Sequence, residues 1–127
     1  MRETSAKPRV LIVDDERVIA DTLAAILNQC GFEARAVYST AKALEQAPVF
    51  KPDLLISDVI MTGMDGIEAA IRMRVLLPHV HVFLLSGQPA TGELLERYNA
   101  AGYGFEILAK PMHPRELISR LHERLAA

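Results

Sequence analysis

The chain has 127 residues, half of them apolar, enough for the core of one domain and too few for two. Its formal net charge is -2 with both signs interspersed, so neither nucleic acid nor an anionic membrane surface is an expected partner. The single cysteine, Cys30, excludes an internal disulfide framework. With no signal-peptide run and no stretch of roughly 18 unbroken apolar residues, a cytoplasmic protein is expected.

Residues 1–8 read as an N-terminal tail, and the domain is expected to occupy 9–127. Val10-Leu11-Ile12-Val13 is a short apolar run of strand type. Ile19, Leu23, Ile26 and Cys30 follow at spacings of four, three and four, which aligns them on one face of a helix and predicts a buried Cys30. Asp14 or Asp15 is expected to cap that helix, and Gly31 to close it in the left-handed conformation. Ala34 to Tyr38 is a weaker, alternating run that suits an edge strand. Ala41, Leu44 and Ala47 mark a second helix, ended by Pro48. Leu54-Leu55-Ile56-Ser57 is the third strand, and Ile67, Ala70 and Ile71 mark a helix that stops before Pro78. Val80 to Leu85 is the fourth strand. Leu94, Leu95, Tyr98 and Ala101 mark a fourth helix between Gly92 and Gly102. Phe105 to Leu108 is the fifth strand, and Leu117, Ile118, Leu121 and Leu125 mark the last helix, with Pro114 in its first turn.

Five strand–helix units in strict alternation predict an α/β fold: a doubly wound parallel sheet with helices on both faces. In such sheets the ligands sit outside the carboxyl ends of the strands. Those ends carry Asp14 and Asp15 after the first strand, Asp58 after the third, Ser86 after the fourth and Lys110 after the fifth. Three crowded carboxylates need compensating cations, of which Lys110 is one. All-oxygen ligands suit Mg²⁺ or Mn²⁺ better than zinc. A carboxylate beside such an ion is a competent nucleophile toward a phosphoryl group. Taken singly, each residue has a plain structural role, as a cap, a turn or a strand end. Their joint placement is what points to chemistry.

The chain resembles a response regulator receiver domain of the single-domain, CheY-like type. The resemblance rests on Leu11-Ile12-Val13-Asp14-Asp15-Glu16, Asp58 through Gly66 with its Met61-Thr62-Gly63-Met64-Asp65-Gly66 run, Leu85-Ser86-Gly87 and Lys110-Pro111. It implies a flavodoxin-like (βα)5 sandwich with strand order 2-1-3-4-5. It implies Asp58 as phosphoacceptor, supplied by a sensor histidine kinase or a histidine phosphotransfer protein. Mg²⁺ (or Mn²⁺) would be held by Asp15, Asp58 and the backbone carbonyl of Ile60, with Asp14 acting at least through water. Ser86 would be the switch hydroxyl and Lys110 the phosphate contact.

Two positions depart from the family pattern. Thr62 replaces a usual Pro, and Ile107 replaces a usual Tyr or Phe; Phe105 shares the face of Ile107 if the strand is regular. The switch is therefore expected to leave through Gly87-Gln88-Pro89 and the start of the fourth predicted helix. The output surface would be that helix, the fifth strand and the last helix, with Tyr98 and Tyr103 as candidate contacts. The module is expected to signal as a monomer or weak dimer through a protein partner, without being an enzyme in its own right. Two other readings are a pseudo-receiver scaffold and a haloacid-dehalogenase-type phosphatase. The latter wants a second Asp where Ile60 stands.

Overall fold

The computed structural model describes residues 7–59, 66–86, 104–110 and 112–126. Its elements are β1 (Arg9–Val13), α1 (Arg17–Gln29), β2 (Glu33–Val37), α2 (Thr40–Phe50), β3 (Leu54–Asp58), α3 (Gly66–Leu76), β4 (His81–Ser86), β5 (Glu106–Ala109) and α4 (Pro114–Ala126). The fourth predicted helix falls outside the described residues, so α4 is the last helix of the sequence reading.

The strands pair in parallel in the order β2-β1-β3-β4-β5, the flavodoxin-like arrangement. The central strands are buried on both faces, as their unbroken Val, Leu and Ile runs require. β2 alternates and lies at an edge, as expected. On one face Leu11, Val13, Leu55 and Leu84 pack against Ala43, Ala47 and Phe50 of α2 and Ile67, Ala70 and Met73 of α3. On the other, Ile12, Ile56, Phe83 and Leu108 pack against Ala20, Ala24 and Leu27 of α1 and Leu117 and Leu121 of α4. The alternation of strand side chains sends successive residues into the two layers.

Three local expectations are corrected. The core face of α1 is Ala20, Ala24 and Leu27, one step round from the Ile19-Leu23-Ile26-Cys30 stripe. Small alanines let α1 lie close to the sheet, while Ile19 is 41% exposed and Cys30 is on the surface. Neither Asp14 nor Asp15 caps α1: the N-cap is Glu16, with no side-chain cap bond. Asp14 is engaged elsewhere. Pro48 does not end α2, which runs on to Phe50. Phe50 is 3% exposed, and burying such a ring is worth roughly 2–3 kcal/mol, enough to hold a last turn that the proline weakens.

The other end of α1 follows expectation. Gly31 has φ of 93°, and the Phe32 N–H donates to the Leu27 carbonyl at 3.2 Å, the six-to-one bond of a Schellman motif. Phe32 is thereby turned into the core beneath α1. Among the described residues, no helix is long and apolar enough to cross a membrane.

Candidate functional site

The backbone ladder brings the sequence-predicted residues to one edge of the sheet. The Asp14 N–H donates to the Val37 carbonyl at 3.2 Å, extending the β1–β2 ladder by one residue. Asp58 is the last residue of β3 and registers with Leu85, and the Val59 N–H donates to the Leu85 carbonyl at 3.0 Å. The Lys110 N–H donates to the Ser86 carbonyl at 2.9 Å. With Val13 of β1 in register with Ser57 of β3, the carboxyl ends of β1, β3, β4 and β5 lie side by side. Which side chains meet there follows from register.

Asp14 is almost sealed, at 2% exposure, whereas Asp15 is exposed. The Glu16 N–H donates to Asp14 Oδ1 at 3.0 Å, a local turn that orients the carboxylate. Oδ2 is buried with no hydrogen-bond partner. Lys110 Nζ stands 3.9 Å from Asp14 Oδ2 and 3.1 Å from Asp58 Oδ2. Burial is the main cause that raises the Asp14 carboxyl above its ordinary 3.8. The charges of Asp58 and Glu16 push the same way, and the Glu16 N–H bond and Lys110 only partly offset them. Ser86 is buried at the same edge.

Carboxylate oxygens of Asp14, Asp15 and Asp58 lie within 4.8 Å of one another. Among the described residues, Lys110 pairs with Asp14 and Asp58 of the three clustered carboxylates, and the buried Asp14 Oδ2 lacks a hydrogen-bond donor. The pocket can therefore hold a metal ion, and its all-oxygen donor set fits a hard divalent cation. Ile60 and Thr62 lie outside the described residues, as do Gly87, Gln88, Pro89, Gly92, Tyr98, Tyr103 and Pro111.

Ile107 registers with Leu84, so it shares the face of the buried Phe105 two residues earlier. It is itself 39% exposed.

One feature escaped the sequence reading. A cavity of about 380 Å³ between α1 and α4 is lined by Val18, Ile19, Leu23, Met112 and Leu117 and reaches Lys110. The Ile19-Leu23-Ile26 stripe, read as core, is the wall of this groove. Its apolar period carries no mark that separates a groove wall from a core face.

The model of the response regulator receiver domain matches residues 10–122. The chain belongs to that family, the receiver domains of two-component signalling systems. It is 34% identical over 119 residues to the transcriptional regulatory protein YvrH of Bacillus subtilis, covering 91% of this chain and 48% of that protein. It is 33% identical over 122 residues to the uncharacterized transcriptional regulatory protein YesN of the same organism, covering 93% of this chain and 32% of that one. The chain thus spans about half, or less, of the curated relatives it matches. Among solved structures, a putative response regulator from Chloroflexus aurantiacus is 32% identical at a TM-score of 0.82, covering 96% of this chain and all of that one. A CheY-like receiver domain protein from Methanospirillum hungatei, 24% identical over 95% of both chains, shows the same fold at a TM-score of 0.86.

Proposed function

We propose that this chain is a phosphorylation-switched receiver whose phosphoacceptor is Asp58. The carrying observation is the position of that carboxylate: it ends the central strand, with Lys110 Nζ at 3.1 Å and the oxygens of Asp14 and Asp15 within 4.8 Å. Asp14 shares these neighbours, but its carboxylate is 2% exposed and Lys110 Nζ stands farther from it, at 3.9 Å.

The donor is a phosphohistidine of a sensor histidine kinase or of a histidine phosphotransfer protein. An Asp58 oxygen bonds to phosphorus as the phosphorus–nitrogen bond breaks, and the electron pair of that bond leaves with the imidazole. Lys110 presents a fixed positive charge and N–H donors to the incoming phosphoryl oxygens. The Ser86 hydroxyl lies on the next strand and donates to one of them. Asp14, Asp15, Asp58 and the Ile60 carbonyl would hold Mg²⁺ (or Mn²⁺), which when bound neutralises charge on the phosphoryl group. The apolar groove beside Lys110 offers the donor protein a docking face next to the reacting atoms.

Output passes through protein contacts in the cytoplasm, on the surface of the fourth predicted helix, β5 and α4, and the module works as a monomer or weak dimer. Ile107 is β-branched with few rotamers, so it does not turn a ring from outside to inside. The change is carried instead by the backbone after Ser86.

Intact-mass analysis after treatment with acetyl phosphate and Mg²⁺ tests the assignment. The wild-type chain gains one phosphoryl group and Asp58→Asn gains none. A full gain in that variant removes Asp58 from the role.

A further inference from the structure

At the opposite end of the sheet, where β4 and β5 begin, a second cavity of about 290 Å³ is polar in character. Its walls include Arg74 of α3, His79 and His81 around the start of β4, Gly104 before β5, and Arg124 of α4. We propose that this cavity is an anion site that takes a phosphate group, either free or as the monoester of a small molecule. It is separate from the acidic pocket and goes beyond the receiver function.

Two guanidiniums from helices on opposite faces of the sheet reach one cavity. Arg74 is held with its guanidinium carbon 5.4 Å from the centroid of the Phe105 ring, a contact that fixes the planar group. Burial lowers its pKa, the mark of a cation poorly served by solvent. Arg124 is ion-paired with Glu106 through Nη2. A guanidinium has five N–H donors, so that bond leaves others for a ligand. His81 is pulled below its ordinary 6.5 by burial and then by Arg124 and Arg74, which registers a positive local field. Among the described residues the opposing carboxylates are few. Glu106 is the one on Arg124, and Asp53 accepts from the Arg9 N–H at 2.8 Å.

Among the described residues, nothing closes the cavity at Gly104. Its φ is +65°, and a Cβ built there meets nothing within 4 Å. Arginine forks match the oxygens of a tetrahedral anion in pairs, and a cavity of this size exceeds a bare phosphate. A phosphomonoester of a small molecule therefore fits as well as the free ion. A monovalent spherical anion would engage fewer of these donors.

The test is a titration of the ¹⁵N-labelled protein with sodium phosphate, against sodium chloride at matched ionic strength, near neutral pH. Saturable shifts are expected at the amides of residues 79–82 and 104–106 with phosphate only. Arg74→Lys keeps the charge and loses the fork, and should weaken binding about tenfold, the size of a lost charge-assisted bond. Arg124→Gln should do the same by an independent route. Thermal melts without phosphate establish that each variant is folded. Asp58→Asn should leave the affinity unchanged, which separates this site from the acidic pocket. A glycerol phosphate titration in place of phosphate distinguishes the ligand sources: tighter binding marks the ester, equal binding the free ion. Equal shifts in chloride, a lack of saturation, or full affinity in both arginine variants would overturn the proposal.

Discussion

Asp14→Asn should stabilise the protein in the absence of divalent metal and weaken its response to Mg²⁺. The carboxylate is 2% exposed, and its Oδ2 has no hydrogen-bond partner. Lys110 at 3.9 Å attracts it by about 4 kcal/mol at an effective dielectric of ~20, and Asp58, with oxygens within 4.8 Å, repels it by nearly as much. The pair terms nearly cancel, which leaves the cost of desolvating the charge. Discounted for the solvent that the exposed Asp15 admits, that cost is about 1–3 kcal/mol. The asparagine keeps the Oδ1 that accepts from the Glu16 N–H and sheds the charge. At roughly 3–5 °C per kcal/mol for a domain of this size, the metal-free Tm should rise by about 3–15 °C.

Because the folded-state pKa of Asp14 is raised above 3.8, the folded chain holds that proton more tightly than the unfolded one. The penalty is absent below the ordinary value, grows as pH rises through it to the folded value, and is constant above. Asp14→Asn should remove that segment of the pH–stability curve. Mg²⁺ at ten times its Kd should stabilise wild type by about 1.4 kcal/mol and the variant by much less. Melts by circular dichroism, with Mg²⁺ and with chelator, read both effects. A lower metal-free Tm in the variant, or an undiminished Mg²⁺ shift, would refute the reasoning.

Pro48→Ala should raise stability, because it restores an N–H and relieves the ring clash in a helix that continues to Phe50; urea melts would show an unchanged or lower midpoint if the last turn is instead adapted to the proline. Cys30→Ser should change stability by less than about 0.5 kcal/mol, since the thiol is exposed, and a labelling reagent should modify wild type without denaturant. Slow labelling that needs denaturant would put the thiol back in the core. His81, held below 6.5 in the folded chain, contributes stability that is complete above that pH and is lost as pH falls through its folded value. His81→Gln should flatten that loss between wild-type and variant denaturation curves; identical slopes would place the titration elsewhere.

The strand set was legible because parallel strands buried on both faces leave continuous apolar runs that polar residues break at their carboxyl ends, whereas the order 2-1-3-4-5 came only with the resemblance to receiver domains. The candidate site was legible for the same reason: Asp14, Asp58, Ser86 and Lys110 need only correct strand ends to meet, and register supplies the rest. Helix faces were less so. Ala20 and Ala24 are weakly apolar, so the stripe of larger side chains at Ile19, Leu23 and Ile26 dominated the pattern, although close packing on the sheet favours the alanines. The unequal burial of Asp14 and Asp15 was also invisible, since adjacent identical residues differ only in which way the turn after Val13 sends them. The basic cavity drew Arg74, His81 and Arg124 from three distant segments with no motif to join them.

The central claim is that Asp58 carries the phosphoryl group, and borohydride trapping tests it at the level of the residue. An aspartyl phosphate is an acyl phosphate, and its reduction converts the side chain to that of homoserine. Protein treated with acetyl phosphate and Mg²⁺, reduced and then digested should show homoserine at position 58 in the peptide from β3, and aspartate at positions 14 and 15. Homoserine at position 14 or 15 with aspartate intact at 58, or no homoserine despite a gain of phosphate mass, would contradict the account.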